Sequence, residues 1–356
     1  MTRSPADRAT FIAAFERQVV ITTALGSPLL ARLFEHVVAD LAGDGPVWRL
    51  VQDWQGDPAE EVLPLRLSAG LHLLAIEGRA PDLARHLPSL GGTPEWPGLW
   101  QAACALMEAQ GPFLRTFLDQ PPQTNEVGRT ATLLGGFLTI AAETGRPLAL
   151  REIGASGGLI LRWDHYRYET DAFAWGDRAA PVTVRARWYG SPPRLGTMPV
   201  ITSRRGCDIA PVDIADAAAR NRLLAYVWPD QDARLAVLRD ALAAGALDPP
   251  PLDRMNAGPW VAQMLAERPA GTALVVHHSY VWAYLSAGER ADIVRHLNTE
   301  GARATAEAPL AWLRMEPTDD GTGMEVLLTL WPGGTTRRLA LCQAHGRWID
   351  WQGPSS

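Results

Sequence analysis

An acid and three glycines follow a short apolar stretch in the segment EIGASGG, residues 152–158. Glycines let the backbone turn sharply and approach a ligand, because no Cβ stands in the way. An acid at the end of a strand accepts hydrogen bonds from an ammonium or hydroxyl group, and the N-terminus of a following helix offers free N–H groups. The pattern therefore predicts a strand, a glycine turn and a helix that bind a nucleoside-containing cofactor. A tight turn without a ligand is the alternative.

Five hydrogen-bonding side chains lie within seven positions in the segment QTNEVGR. A helix N-terminus capped by Thr124 or Asn125 explains part of this pattern, but it does not explain Gln123 together with Arg129. We expect Gln123, Asn125 and Arg129 to contact a substrate. Glu126 is a second candidate for a general base.

Two adjacent histidines end an apolar strand pattern in the segment VVHHSY. Adjacent strand residues point to opposite sides, so no metal shared by His277 and His278 is predicted. Ligands bind at the carboxyl ends of parallel strands, which makes His278 the first candidate for a general base. A hydrogen-bonded structural histidine is the alternative. Tyr280, and Tyr166 from the segment WDHYRY, are expected to line a substrate pocket, although WDHYRY equally suits a partly buried strand.

The elements that position these residues fall into two regions. Residues 1–122 carry apolar side chains at spacings of three and four, which predicts an all-helical domain. Strand-like and helical stretches alternate over residues 123–356, which predicts a largely parallel sheet with helices on both faces. The stretches MEVLLTLW and TRRLALCQ, joined by PGG, predict a C-terminal antiparallel hairpin.

Composition excludes several classes of chemistry. All 33 basic residues are arginine, and the chain contains no lysine. It therefore forms no Schiff base and has no Walker or kinase lysine. A net charge of -6 gives no general attraction for nucleic acid or anionic lipid. Three scattered cysteines, and an N-terminus without the apolar run of a signal peptide, predict a cytoplasmic protein without a membrane span.

Three motifs in order make a family resemblance specific. The stretch EIGASGGLILRWDHYRYE, with QTNEVGR before it and VVHHSYVWAYL after it, resembles the uncharacterised bacterial family DUF2332 over nearly the whole chain. Its glycine motif is similar to motif I of class I S-adenosylmethionine-dependent methyltransferases. The resemblance implies an α/β fold with a Rossmann-like methyltransferase-type sheet. That sheet is mostly parallel with a C-terminal antiparallel hairpin, and the helical domain precedes it.

The same resemblance implies which residues hold S-adenosylmethionine. In such folds the motif I residues hold the methionine portion, and here these are Glu152, Gly154, Ser156 and Gly158. The acid that binds the ribose falls on Asp208, with Glu169 as the alternative. The polar residue that contacts adenine falls on Asn256. With Asp208 as the acid, residues 165–198 become an inserted hairpin.

The implied function is methylation of a small molecule by S-adenosylmethionine, with the helical domain as a cap over the site. Two alternatives stay open. One is an NAD(P)-type dinucleotide-dependent oxidoreductase, against which the incomplete glycine pattern argues. The other is a non-catalytic nucleotide- or ligand-binding protein. The sequence lacks an acidic proline-aromatic catalytic motif after the fourth strand, and this keeps the second alternative open. The expected partner is a small-molecule substrate, with neither nucleic acid nor a membrane.

Overall fold

A computed structural model of the protein describes residues 7–321 and 323–355. Its α-helices are α1 (Arg8–Ala24), α2 (Pro28–Leu41), α3 (Pro46–Val51), α4 (Leu63–Ile76), α5 (Pro81–Ala84), α6 (Gly98–Ala109), α7 (Gly111–Leu118), α8 (Arg129–Thr144), α9 (Ala217–Ala225), α10 (Asp232–Ala246), α11 (Ala257–Ala266) and α12 (Ala287–Gly301). Short 3₁₀ helices cover Pro88–Leu90, Ile160–His165 and Trp282–Tyr284.

The strands are β1 (Leu148–Ile153), β2 (Arg167–Thr170), β3 (Ala174–Trp175), β4 (Thr183–Tyr189), β5 (Ile201–Asp208), β6 (Leu252–Arg254), β7 (Ala273–Ser279), β8 (Leu310–Pro317), β9 (Met324–Trp331), β10 (Thr335–Cys342) and β11 (Trp348–Trp351). The chain divides into two compact units. The first comprises the described residues up to Thr124 together with Asp216–Ala236, and the second comprises Asn125–Ala215 and the described residues from Val237 onward.

The first unit is built from helices. Its core consists of apolar residues at helical spacing, among them Phe11, Phe15, Phe34, Leu41, Leu63, Leu67 and Leu74. Residues 216–236, which the sequence pattern assigns to the second region, belong to this unit. Asp230 fixes them there, because its carboxylate accepts hydrogen bonds from the Ser27 hydroxyl (2.6 Å) and the Leu29 N–H (3.0 Å).

The second unit is organised around one sheet with the strand order β3-β2-β4-β11-β10-β9-β8-β7-β1-β5-β6. The strands from β6 to β8 in this order are parallel to their neighbours. From β8 to β11, each strand pairs antiparallel with the next one along the chain. The structure therefore confirms a mixed α/β fold with a mostly parallel sheet, antiparallel C-terminal strands and N-terminal helices.

Helices cover both faces of the parallel part of this sheet. On one face α8 packs closely, since a Cβ at Gly136 would lie only 2.4 Å from the Leu313 side chain. On the other face α11 and α12 form a core with the strands, in which Trp260, Val261, Leu274, Val276, Ile293 and Leu297 are buried. The two faces of β7 therefore have different surroundings.

Two local predictions need correction or refinement. The α-helix predicted directly after the glycine turn is wrong, because Gly158 has a φ of 72°, which a right-handed helix cannot include. Only the 3₁₀ helix Ile160–His165 fits before β2. Within residues 165–198, β2 and β3 form an antiparallel hairpin, and β4 pairs in parallel with β2 and β11. This segment thus extends the sheet at the edge opposite β6.

Candidate functional site

The order of the strands reverses beside β1. After the segment that carries β2, β3 and β4, the chain places β5 and β6 on one side of β1 and then β7 and β8 on the other. In open α/β sheets such a reversal leaves a crevice at the carboxyl ends of the strands, where ligands bind. The glycine turn follows β1 at this end, and the register pairs Glu152 with His277. The structure therefore brings the glycine motif and the histidine pair together.

The glycine turn has a backbone that requires glycine at two positions. Gly154 and Gly158 have φ values of 68° and 72°. A Cβ at Gly154 would lie 2.5 Å from Val281, and a Cβ at Gly158 would lie 2.4 Å from Pro250. Both glycines are therefore needed for the packing of the protein on itself. Ser156 has a φ of 51°, an unfavourable value for a residue with a side chain.

Asp208, at the end of β5, holds this turn in place. Its Oδ2 accepts a hydrogen bond from the Ser156 N–H (2.9 Å), and its Oδ1 accepts one from the Ala210 N–H (2.9 Å). Glu169, the alternative ribose acid, lies on β2, which six strands separate from β1. It forms an ion pair with Arg185 (3.0 Å). Only Asp208 of these two acids lies at the glycine turn.

Asn125 and Asn256 lie in different surroundings. Asn125 is buried, and its Oδ1 accepts a hydrogen bond from the Leu159 N–H (2.9 Å), which fixes the exit of the glycine turn. Asn256 follows β6 as the residue before α11, where its side chain is exposed and makes no capping hydrogen bond. Gln123 is buried and belongs to the first unit.

Arg129, the first residue of α8, connects two chain segments near the site. Its guanidinium donates hydrogen bonds to the carbonyl oxygens of Ala344 (3.1 Å) and Ser279 (3.3 Å). Gly128 is the residue that precedes the helix, and neither Thr124 nor Asn125 caps it. Glu126 is buried, and its Oε1 accepts a hydrogen bond from the Gly128 N–H (3.3 Å).

Glu152 is a buried acid with one open oxygen. Its side chain is 1% exposed, and its Oε2 has no hydrogen-bond partner among the described residues. The backbone N–H of Leu161 donates to the same carboxyl group. Burial raises the pKa of Glu152 well above its usual range, and the nearby Asp208 raises it further, against the opposing charge of Arg129.

His277 lies beside Glu152 on the neighbouring strand. Its side chain is 0% exposed, and neither ring nitrogen has a partner in the part of the chain that the structure describes. Its ring meets Phe137 of α8 edge to face, with the centroids 5.2 Å apart. Burial lowers the pKa of His277 to about 3, and the adjacent His278 adds to this effect. The imidazole is therefore neutral at pH 7, with one donor and one acceptor nitrogen.

His278 points to the other face of β7 and is also 0% exposed. The indole N–H of Trp312 donates to its Nε2 (3.1 Å), so Nδ1 carries the proton and donates to Glu316 Oε1 (2.6 Å). Glu316 also accepts hydrogen bonds from the N–H groups of Val281 (3.1 Å) and Trp282 (3.3 Å). His278 has no free nitrogen for the predicted role as a base, and it instead helps to hold the segment after β7.

The two tyrosines predicted to line a pocket differ in exposure. Tyr166 is buried, and its hydroxyl donates to the Leu159 carbonyl oxygen (2.7 Å). Tyr280 is 39% exposed and has a φ of 55°. The Arg129 guanidinium lies 5.1 Å from the centre of its ring. Only Tyr280 therefore presents its ring to solvent beside the end of β7.

Within residues 7–321 and 323–355, no group of three or more His, Cys, Asp or Glu side chains is arranged to hold a metal ion. In the same ranges, no helix combines the length and the apolar character that a bilayer span requires.

The fold and the site together define the class of protein: a mixed α/β protein with a glycine turn and a buried acid where the strand order reverses. The family model for "Uncharacterized protein conserved in bacteria (DUF2332)" matches residues 12–351. The chain therefore belongs to the DUF2332 family, which confirms the resemblance of the three motifs. Neither a curated protein nor a solved structure matches the chain.

Proposed function

We propose that the chain is an S-adenosylmethionine-dependent methyltransferase that acts on a small molecule. The observation that carries this proposal is the open Oε2 of Glu152 at the end of β1. A buried carboxyl oxygen without a partner costs free energy unless a ligand or water satisfies it. The ammonium group of S-adenosylmethionine supplies such a donor. The acid therefore fits the methionine portion of the cofactor.

The topology of the sheet supports the same proposal. Five parallel strands follow the order β6-β5-β1-β7-β8, with the antiparallel β9 beside β8. This corresponds to a doubly wound sheet of order 3-2-1-4-5, in which a nucleoside-containing ligand binds at the reversal. An antiparallel end of the sheet resembles that of the class I methyltransferases.

The proposal assigns different tasks to the acids and the glycines. Asp208 binds the ribose hydroxyls through the lone pairs that remain after each oxygen has accepted one backbone N–H. Asn256 is an exposed amide at the end of β6, where the adenine contact is expected. Gly154 and Gly158 give the turn its shape, since Val281 and Pro250 fill the space beside them.

The short 3₁₀ helix favours this cofactor over a dinucleotide. A pyrophosphate is held by the free N–H groups and the dipole of a full α-helix after the glycine turn. Here the turn leads into only six residues of 3₁₀ helix, Ile160–His165. S-adenosylmethionine carries no phosphate and does not need that helix. The NAD(P)-dependent alternative is therefore less well supported.

The chain contributes mainly by positioning the reacting groups. When bound, S-adenosylmethionine supplies an electrophilic methyl group on its sulfonium. Orientation of the two reactants supplies much of the rate in such a displacement. A base is needed only if the acceptor atom carries a proton. Since both nitrogens of His278 are engaged, Glu126 becomes the first candidate for that base.

Calorimetric titration tests the proposal directly. Wild-type protein is titrated with S-adenosylmethionine, with S-adenosylhomocysteine, and with NADH and NADPH. We expect heat of binding from the first two compounds, reduced in Glu152→Gln. Glu169→Gln is the matched control, because it removes a carboxylate on β2, which six strands separate from β1, and it should bind as the wild type does.

Two results would count against the proposal. Heat from NADH or NADPH alone would favour the oxidoreductase, and no heat with any of the four compounds would contradict cofactor binding. If S-adenosylmethionine binds, transfer of a labelled methyl group to pools of small acceptors separates an enzyme from a non-catalytic binding protein.

A further inference from the structure

Among the described residues, three buried polar atoms at the reversal of the strand order have no hydrogen-bond partner. They are Oε2 of Glu152 and both ring nitrogens of His277. The two residues are paired in the register of β1 and β7, so their side chains point to the same face of the sheet. Buried polar atoms in native proteins almost always have a partner. A pair of such residues at a ligand-binding crevice therefore indicates that the partner is a ligand.

We propose that His277 and Glu152 together form a buried subsite for the amino group of the ligand's amino-acid portion. This inference rests on the proposed function and adds His277, which has no role in the motif, as a binding residue. His277 directly precedes His278, the histidine that the sequence pattern favoured as a general base. The binding role falls on His277 because its side chain points to the same face of the sheet as Glu152.

The hydrogen-bonding capacity of the pair selects an amine. A neutral imidazole always keeps one nitrogen as an acceptor, and the open oxygen of an ionised Glu152 is a second acceptor. An ammonium group has three N–H donors, so one group can satisfy both. The positive charge of Arg129, which acts on Glu152, favours an anionic group nearby. An α-amino acid combines the two charges.

Entry to the subsite requires a movement, because both side chains are fully buried. The segment after β7 is suited to it. Tyr280 holds a positive φ, a conformation that costs free energy for a residue with a side chain. Val281 packs directly on Gly154. Displacement of this segment uncovers the glycine turn and the ends of β1 and β7.

The variant His277→Phe separates a binding role from a structural one. Phenylalanine is apolar, similar in size, and compatible with the edge of Phe137. Because it removes two buried polar atoms without partners, we expect the melting temperature of the ligand-free protein to rise by about 2–6 °C. His278→Phe is the matched control on the same strand, and it should lower the melting temperature, since both of its nitrogens are bonded.

A comparison of two ligands then shows whether the variants weaken binding of the amino-acid portion. The probes are S-adenosylhomocysteine and 5′-methylthioadenosine, which shares the adenosine and sulfur but lacks the amino-acid portion. We expect His277→Phe and Glu152→Gln each to weaken S-adenosylhomocysteine by about 10- to 100-fold. Both variants should bind 5′-methylthioadenosine as the wild type does.

Three outcomes would overturn the inference. If His277→Phe lowers the melting temperature and Glu152→Gln leaves S-adenosylhomocysteine binding intact, the pair is structural. If His277→Phe is stabilised but binds S-adenosylhomocysteine normally, the pair holds only water. If the wild type binds neither compound, the proposed function fails and the subsite fails with it. The first two outcomes leave binding of S-adenosylmethionine standing, although the first removes the role of Glu152 in that binding.

Discussion

The two faces of β7 differ in the hydrogen-bond partners that they offer to a buried histidine. His278, on the face covered by α11 and α12, has a partner for each ring nitrogen, and Glu316 links it to two backbone N–H groups. His277, on the face covered by α8, is equally buried, and neither of its ring nitrogens has a partner within residues 7–321 and 323–355. A satisfied polar network stabilises a fold, whereas an unsatisfied one lowers stability and persists where function requires it. The first face therefore supports the segment after β7, and the second is the one on which we propose that a ligand binds.

The largest effect is expected for His278→Phe. The change leaves the Trp312 indole N–H and the Glu316 carboxylate without their partner, so the free energy of unfolding should fall by about 3 kcal/mol. Urea unfolding followed by circular dichroism measures this loss, with His277→Phe as the control of opposite sign. A value for His278→Phe equal to that of the wild type would remove the difference between the faces.

A change in pH should enlarge the effect of His277→Phe. The pKa of His277 is about 3 in the folded protein, against its usual value of 6.5. Between these two pH values the unfolded chain therefore binds more protons than the folded one. Wild-type stability therefore loses a contribution as pH falls below 6.5, and His277→Phe does not share this loss. Between about pH 8 and about pH 5, the advantage of the variant should grow by about 2 kcal/mol.

Urea unfolding of both proteins at the two pH values gives this difference. Glu152, whose raised pKa makes stability fall as pH rises above 4.5, contributes to both proteins alike and cancels. An advantage that stays constant with pH would show that His277 is not held neutral by its burial.

A smaller effect is expected for Glu316→Gln, which weakens the support of the segment after β7. The amide keeps one acceptor oxygen but loses the charge that receives three hydrogen bonds, so we expect a loss of about 1.5 kcal/mol. Hydrogen exchange of the Val281 and Trp282 amides should accelerate more than exchange in α8. Equal acceleration in both places would mean that Glu316 stabilises the unit as a whole.

The smallest effect concerns proton release on binding. Glu152 must ionise to receive an ammonium group, and its pKa is raised by burial. At a pH below this raised pKa, binding of S-adenosylhomocysteine should therefore release a proton, and binding should tighten by up to about tenfold for each unit by which the pH rises. Titrations in two buffers with different ionisation enthalpies measure the proton, and Glu152→Gln should abolish it. The same heat in both buffers for the wild type would contradict the ionisation of Glu152.

The elements that sequence patterns predicted best are those with a clear period. The hairpin β9–β10 and the end of β7 agree with their apolar patterns to within two residues. The apolar patterns did not predict β3, β6 and β11, because these strands of two to four residues are too short to show a period. Residues 216–236 were placed in the wrong region, since their contact through Asp230 depends on a partner about 200 positions away.

The sequence placed the glycine turn after a strand and the histidine pair near the end of another, as the structure has them, but it did not predict their contacts. The glycine motif pointed to the end of β1, and the alternation of side chains in a strand showed that the two histidines point apart. The choice between them needed Trp312 and Glu316 on β8, which no spacing in the sequence connects to His278. A buried histidine without partners leaves no signature in a single sequence.

A crystal structure with S-adenosylhomocysteine is the most direct test of the account. The difference between the two faces predicts the ligand amino nitrogen within about 3.2 Å of both Glu152 Oε2 and a ring nitrogen of His277. It also predicts that the contacts of His278 with Trp312 and Glu316 persist. A ligand amino group bound elsewhere, with Glu152 and His277 still without it, would contradict the central claim.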